Sequence, residues 1–222
     1  LKVSIYGQSV FYKRLGLFLR FCTAILLLVV TACSTTKKLP AGEVLYTGMA
    51  GIDITDKDSI KVSDEVLDKV ESAFAYPPNN ALLGSSSVRI PIPLGLWVYN
   101  AYVDKKGPFS RLMMNLFASK PVLISTVNPE TRTKIVQNIL RSNGYFNGEA
   151  GYEIIQDKKD SLKAKISYDV TLHEPYIIDS IVWRRMQHRG DTLLRLNEAD
   201  RPVRKGDLFS TDKLEEDRQR LA

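Results

Sequence analysis

Four side chains in this chain are sulfur or imidazole groups of the kind that act as nucleophiles or soft metal ligands: Cys22, Cys33, His173 and His188. They are too few for a zinc-finger ligand set, and two cysteines cannot build a disulfide framework. Neither histidine has a cysteine or a paired carboxylate at ligand spacing, and His173 adjoins a strand end, where a solvated imidazole is usual. Gly84-Ser85-Ser86-Ser87 lacks the second glycine of a nucleophile elbow, and no glycine-rich phosphate loop occurs. Glu215-Glu216-Asp217 shares a helix with Arg218 and Arg220 and reads as a solvated charged face. No catalytic residue, metal site or cofactor is therefore expected in this stretch, and the chain is not expected to be an enzyme. Cys33 alone stands where a thiolate has a task. It follows the uncharged run Phe21 to Val30 and the residues Thr31-Ala32. Two small residues precede it, and its thiolate is the one strong nucleophile at the end of that run.

Val30-Thr31-Ala32-Cys33 resembles the bacterial lipobox, in which an apolar residue and two small ones precede a lipid-modified cysteine. The resemblance implies a signal peptide over residues 1–32, cleavage between Ala32 and Cys33, and a diacylglyceryl thioether with an N-acyl chain such as palmitate on Cys33. Two or three chains, at about 0.8 kcal/mol per buried CH₂, anchor a protein stably. The other reading of the same residues is an ordinary A-x-A signal cut before a free Cys33. The uncharged run Phe21 to Val30 spans about 15 Å as a helix, half of a bilayer core of about 30 Å, which suits a signal-peptide core and not a membrane span. Cys22 would leave with it.

The charge agrees with export. The chain has 31 Lys+Arg against 25 Asp+Glu, a formal +6. Lys2, Lys13, Arg14 and Arg20 lie in the first 32 residues, which contain no acid, so the remainder holds 27 basic against 25 acidic residues. An excess so located speaks for a signal peptide, and no nucleic-acid partner is expected. With 44% hydrophobic residues the remainder can build an ordinary core.

Beyond a polar tether over 33–42, the pattern predicts a strand from Glu43 to Ile54 interrupted by Gly48 and Gly51. A helix follows, capped by Ser63 and buried through Val66, Leu67, Val70 and Phe74. The prolines of Ile90-Pro91-Ile92-Pro93 exclude a central strand, so a loop leads to the aromatic element Leu94 to Tyr102 and a short amphipathic helix from Phe109 to Phe117. Asn128-Pro129 starts a helix with Ile135, Val136, Ile139 and Leu140 on one face, and Asn143-Gly144 ends it. A strand Glu149 to Gln156, a turn at Asp157 to Ser161, and a return strand Leu162 to Leu172 follow. The return strand alternates without fault, with Leu162, Ala164, Ile166, Tyr168, Val170 and Leu172 on one face. Tyr176 to Trp183 is expected to be a further strand, Arg184 to Gly190 a basic loop, and Ser210 the cap of a last helix with Leu214 and Leu221 on one side. Because the chain stops inside that helix and begins with Leu1, it is expected to be the N-terminal part of a longer protein.

Three segments in combination resemble POTRA repeats, whose order is β-α-α-β-β. They are Leu140-Arg141-Ser142-Asn143-Gly144-Tyr145-Phe146, the strand Ala164-Lys165-Ile166-Ser167-Tyr168-Asp169-Val170, and Pro175-Tyr176-Ile177-Ile178-Asp179-Ser180-Ile181 followed by Gly206-Asp207-Leu208-Phe209-Ser210. With a lipobox upstream, the chain resembles the translocation and assembly module lipoproteins of Bacteroidetes, within the BamA and TamA superfamily of outer-membrane assembly proteins. The resemblance implies an α+β fold of tandem POTRA-like domains, each a small mixed sheet with two helices on one face. Residues 43–120 would be a divergent first domain, 121–174 a second and 175–222 the start of a third. It also implies a lipid-anchored outer-membrane location with the domains in the periplasm, and a role in outer-membrane protein assembly or translocation. The partners implied are outer-membrane lipid through acylated Cys33, unfolded outer-membrane protein clients, and a TamB-like protein reaching from the inner membrane. The β-barrel of the superfamily is not in this stretch.

Such a sheet leaves an edge whose unpaired N–H and C=O groups can bind an extended client by strand addition. The irregular strand around Gly151, Tyr152, Glu153, Ile154 and Ile155 is the edge candidate and Leu162 to Leu172 the central one, unless both are simply core strands. A proline at Glu153, compared with one at Lys165, would separate these. Two rivals remain: a surface lipoprotein binding a small molecule or glycan through Trp97 to Tyr102, and an enzyme whose active site lies beyond Ala222.

Overall fold

A computed structural model describes residues 35–56, 60, 62–85, 88–182 and 198–220. The fold is mixed α+β, with one three-stranded sheet and several helices. Its strands are β1 (Leu45–Thr55), β2 (Glu149–Gln156) and β3 (Lys163–Thr171). Its helices are α1 (Asp64–Phe74), α2 (Leu94–Tyr102), α3 (Pro108–Phe117), the single turn α4 (Ile124–Val127), α5 (Pro129–Ser142) and α6 (Thr211–Arg220). The described residues form two compact units, one from 35–40 and Pro91–Lys120, the other from those between Ala41 and Ile90 and those from Pro121 onward.

In the larger unit the sheet order is β1-β3-β2. β3 runs parallel to β1 and antiparallel to β2. A parallel neighbour needs a crossover, and α1 and α5 supply it, giving a single β-α-α-β-β path from Leu45 to Thr171. Because Leu45 pairs with Lys163 in the same sheet, a domain boundary between residues 120 and 121 would cut through this unit. The described residues hold one such path, with Pro91–Lys120, a separate unit, inserted in the sequence between its two helices.

The helices form where they do for local reasons. The Ser63 hydroxyl accepts from the Val66 N–H, and Asp64 and Glu65 sit at the positive end of α1. Asn128 adopts a left-handed conformation, accepts from the Thr131 N–H and is followed by Pro129 at the first helical position of α5. Gly144, with φ +91°, lets the chain leave α5 as the Tyr145 N–H returns to the Leu140 carbonyl.

Both helices cover one face of the sheet. Val66, Val70 and Phe74 from α1 and Val136 and Leu140 from α5 form one buried cluster with Ile166, Tyr168, Val170 and Leu172. Phe74 stacks on Tyr168 with ring centroids 4.0 Å apart. Burying each such side chain is worth about 1.5 to 3 kcal/mol, which makes β3 the strand the fold is assembled on. Two positions depart from the expected pattern. Ile135 faces outward while Thr133 takes the buried turn, because the buried stripe of α5 runs through 129, 133, 136 and 140. Leu162 precedes the strand and is exposed.

Among the described residues after β3 no full strand forms. Ile177 makes an isolated bridge with Leu208, and Ile181 and Val182 are irregular. Trp183, the Arg184 to Gly190 loop and Leu221 lie outside the described residues.

Candidate functional site

The Asp157 N–H donates to the Lys163 carbonyl, which sets the phase of the β2–β3 ladder. With Asp157 and Lys163 as a hydrogen-bonded pair, Ile155, Glu153, Gly151 and Glu149 exchange bonds with Lys165, Ser167, Asp169 and Thr171. Ala150, Tyr152, Ile154 and Gln156 then aim their N–H and C=O groups away from the sheet. The Ala150 carbonyl accepts from Gln137 Nε2 at 3.4 Å, as this phase requires. Among the described residues nothing bonds the outward backbone groups of Tyr152 and Ile154.

The side chains of the same two residues are half uncovered. Tyr152 lies opposite Tyr168 and Ile154 opposite Ile166, so all four lean toward the core face. Yet Tyr168 and Ile166 are 1% and 0% exposed, and Tyr152 and Ile154 are 40% and 43% exposed. On the other face, Gly151 leaves room for the Asp169 carboxylate, 2.6 Å from where a Cβ would sit.

The opposite edge is occupied along its first half. The Tyr46 N–H donates to the Val122 carbonyl at 2.8 Å and the Ile124 N–H to the Val44 carbonyl at 3.0 Å. Arg89 Nη1 donates to the Thr47 carbonyl at 3.1 Å, beside Gly48, whose φ of +123° marks a register irregularity in β1.

A second feature gathers the residues of the Gly-Tyr-Phe corner. The Tyr176 N–H donates to the Gly144 carbonyl, and the Phe209 N–H to the Tyr176 carbonyl. The Phe146 ring meets Tyr176 at 5.2 Å and Phe209 at 4.9 Å. The Thr211 hydroxyl donates to the Ser142 carbonyl at the end of α5. The Leu140–Phe146, Pro175–Ile181 and Gly206–Ser210 segments therefore meet at one junction, while Tyr168-Asp169-Val170 lies in the central strand β3.

The remaining sequence candidates sort plainly. Gly151, Tyr152, Glu153, Ile154 and Ile155 all lie on β2, an edge strand, and β3 is central. Ala32, Cys33, Cys22 and His188 lie outside the described residues. His173 is exposed just past β3, with φ +52°. The Ser85 hydroxyl accepts from the Val88 N–H in a local turn. Among the described residues no group of His, Cys, Asp and Glu could hold a metal ion, and no helix is long and apolar enough to cross a membrane. The Glu215 to Asp217 face is solvated only in part. Arg218 grips the exposed Glu215 through two bonds and holds its carboxyl down at about 2, whereas Asp217 is buried and pairs with Arg220 at 2.8 Å and Arg201 at 3.7 Å. The buried pairing follows from Arg201 arriving from a distant loop, which helix spacing cannot reveal.

Arg132 is a residue that sequence patterning misses. Its guanidinium donates to the Ala73, Ala75 and Val127 carbonyls and stacks over the Tyr76 ring at 4.9 Å. It thereby closes the C-terminal end of α1 against the start of α5.

No family model matches the chain, and no curated protein matches it. Among solved structures, the crystal structure of POTRA domains 3–5 of Haemophilus influenzae BamA aligns over 83% of this chain and 87% of that one, at 11% identity and a TM-score of 0.29.

Proposed function

We propose that this chain is the client-receiving, POTRA-like region of a lipid-anchored outer-membrane protein that takes part in assembling or translocating outer-membrane proteins. On this reading Cys33 carries the acyl anchor, the folded units lie in the periplasm, and a TamB-like protein brings clients from the inner membrane. Extended clients bind by adding a strand to β2.

One observation supports this most. The residues with unbonded outward backbone groups, Tyr152 and Ile154, are also those with half-exposed apolar side chains on the core face. An added strand would satisfy both at once, since backbone pairing tolerates many client sequences and the two side chains prefer clients with apolar residues at alternate positions.

The ladder phase sets the test. Proline at Glu153 would remove a bond to β3 and damage the sheet, so it is not informative. Proline at Ile154 removes an outward N–H and the half-exposed apolar side chain without removing a bond to β3. An extended peptide of alternating apolar and polar residues, photo-crosslinked to β2, is expected to label the parent chain and to lose labelling about tenfold or more in Ile154→Pro and Tyr152→Asp. Circular dichroism is expected to be unchanged. Equal labelling of folded Ile154→Pro would sink the strand-addition reading.

A further inference from the structure

Among the described residues, nothing covers one apolar face of the smaller unit. α2 and α3 form an antiparallel hairpin: Tyr102 at the end of α2 meets Phe109 at the start of α3, with centroids 6.0 Å apart, and the Ser119 N–H after α3 donates to the Gly95 carbonyl at 3.0 Å. A Cβ on Gly95 would lie 2.9 Å from the Ser119 Cβ, so the hairpin closes tightly at that end. α3 keeps Ser110 buried, while Phe109, Leu112, Leu116 and Phe117 are 61%, 53%, 63% and 59% exposed. Spacing of i, i+3 and i+7 puts Phe109, Leu112 and Leu116 on one stripe, with Arg111 and Asn115 on the other side.

Charge narrows what covers this stripe. The described part of the unit contains Lys37, Lys38, Lys105, Lys106, Arg111 and Lys120 against the single acid Asp104, an excess of five. The chain after residue 32 has an excess of only two, 27 basic against 25 acidic residues, so the rest of it is net acidic. Positive charge is thus concentrated in the unit that carries the exposed apolar stripe, the pairing that suits a surface of anionic headgroups over hydrocarbon.

Chain connectivity points the same way. Asn100 Nδ2 donates to the Thr35 carbonyl at 3.2 Å, and Lys38 forms an ion pair with Asp104, so the segment following Cys33 is tied to α2. Cys33 is two residues from Thr35, within about 7 Å of extended chain.

We propose that the α2–α3 hairpin lies in the headgroup layer of an anionic phospholipid bilayer, with Phe109, Leu112, Leu116 and Phe117 at the acyl boundary. This deepens the lipid-anchored reading, on which it rests for its choice of membrane. The hairpin would be a second attachment point, holding the first folded unit flat beside the anchor.

The test uses the chain from Ser34 onward, which keeps every described residue and removes both the apolar run Phe21 to Val30 and Cys33. This form is expected to co-sediment with vesicles of phosphatidylethanolamine and phosphatidylglycerol, and to bind phosphatidylcholine vesicles about tenfold more weakly. Raising the salt to 0.5 M is expected to release it. Leu112→Asp with Leu116→Asp is expected to lower binding about tenfold or more, with the thermal unfolding of the larger unit unchanged. Lys105→Glu with Lys106→Glu is expected to weaken binding and flatten its salt dependence. Failure of the parent form to bind anionic vesicles overturns the proposal, as does equal binding by the double aspartate variant. Lipid-free dimers that the aspartate variant abolishes would also overturn it, by assigning the stripe to a second copy. Acylation of Cys33, followed separately in cells, decides the anchor alone, so either idea can fail without the other.

Discussion

The Tyr176 N–H donates to the Gly144 carbonyl at 2.8 Å, and the Tyr176 carbonyl lies 3.1 Å from where a Gly144 Cβ would sit. One glycine thus ends α5, accepts the incoming segment and leaves room for it. The Phe209 carbonyl stands equally close, at 3.1 Å. Gly144→Ala therefore incurs a left-handed backbone cost of about 1 to 2 kcal/mol and crowds two backbone carbonyls as well. Amide exchange at Tyr176 and Phe209 is expected to accelerate more than at β3. Gly144→Asn separates the causes, since asparagine tolerates the backbone conformation but keeps the Cβ. If exchange at Tyr176 stays at the parent rate in both variants, the junction is not held by this contact.

Arg132 supports a prediction about geometry and not charge alone. Its donors reach the Ala73, Ala75 and Val127 carbonyls, acceptors from two helix ends. Arg132→Ala leaves these to water and is expected to cost about 2 kcal/mol, or about 4 to 8 °C in Tm. Arg132→Lys is expected to recover little, because one ammonium cannot span all three. A lysine variant melting with the parent would show that the positive charge suffices.

These two residues also mark what the sequence makes legible. Gly144 announces itself, because a helix ending on Asn-Gly has few other conformations, and Ser63 and Asn128 announce their helices in the same way. β3 is legible because one face is wholly buried and one wet. β2 looks irregular for a physical reason: at an edge, Tyr152, Ile154 and Ile155 are all half exposed, so no alternation marks a face. Pairing of β1 with β3 is invisible, since a two-residue period carries no information about a partner more than a hundred residues away. Arg132 is equally silent, as its partners are backbone carbonyls that every residue possesses. At Pro91–Lys120 the aromatic element and the short amphipathic helix are legible, but not their separation into a unit apart from the sheet, and the exposed stripe follows from the hairpin's packing.

The anchor proposed at Cys33 is checked in cells. Cys33→Ser leaves the apolar run and the rest of the chain intact but removes the acylated sulfur. The parent is expected to incorporate labelled palmitate and partition into detergent, while the serine variant takes up none and is processed poorly. Label retained by Cys33→Ser would place the acyl chain elsewhere, and a parent without label would favour the ordinary signal sequence.

Alkaline unfolding tests the tyrosines beneath the sheet. Burial is the main cause that pushes the Tyr168 hydroxyl up to about 12 from an ordinary value of 10, and burial raises Tyr46 and Tyr145 in the same direction. The unfolded chain releases these protons near pH 10 and the folded chain holds them longer. Between about pH 10 and 12 the folded state therefore binds more protons, and stability falls as pH rises. Below pH 10 the contribution is complete and flat. The Tyr168 hydroxyl is buried without a hydrogen-bond partner among the described residues, and its ring stacks on Phe74. Tyr168→Phe keeps the stack and removes a group that gains nothing from burial. At pH 8 the variant is expected to match or slightly exceed the parent in urea unfolding. At pH 11 it is expected to lead the parent by a further ~1 kcal/mol, the value of one pH unit of retained proton. A variant that loses stability above pH 10 as steeply as the parent would show that Tyr168 does not carry this dependence, leaving Tyr46 and Tyr145 as its source.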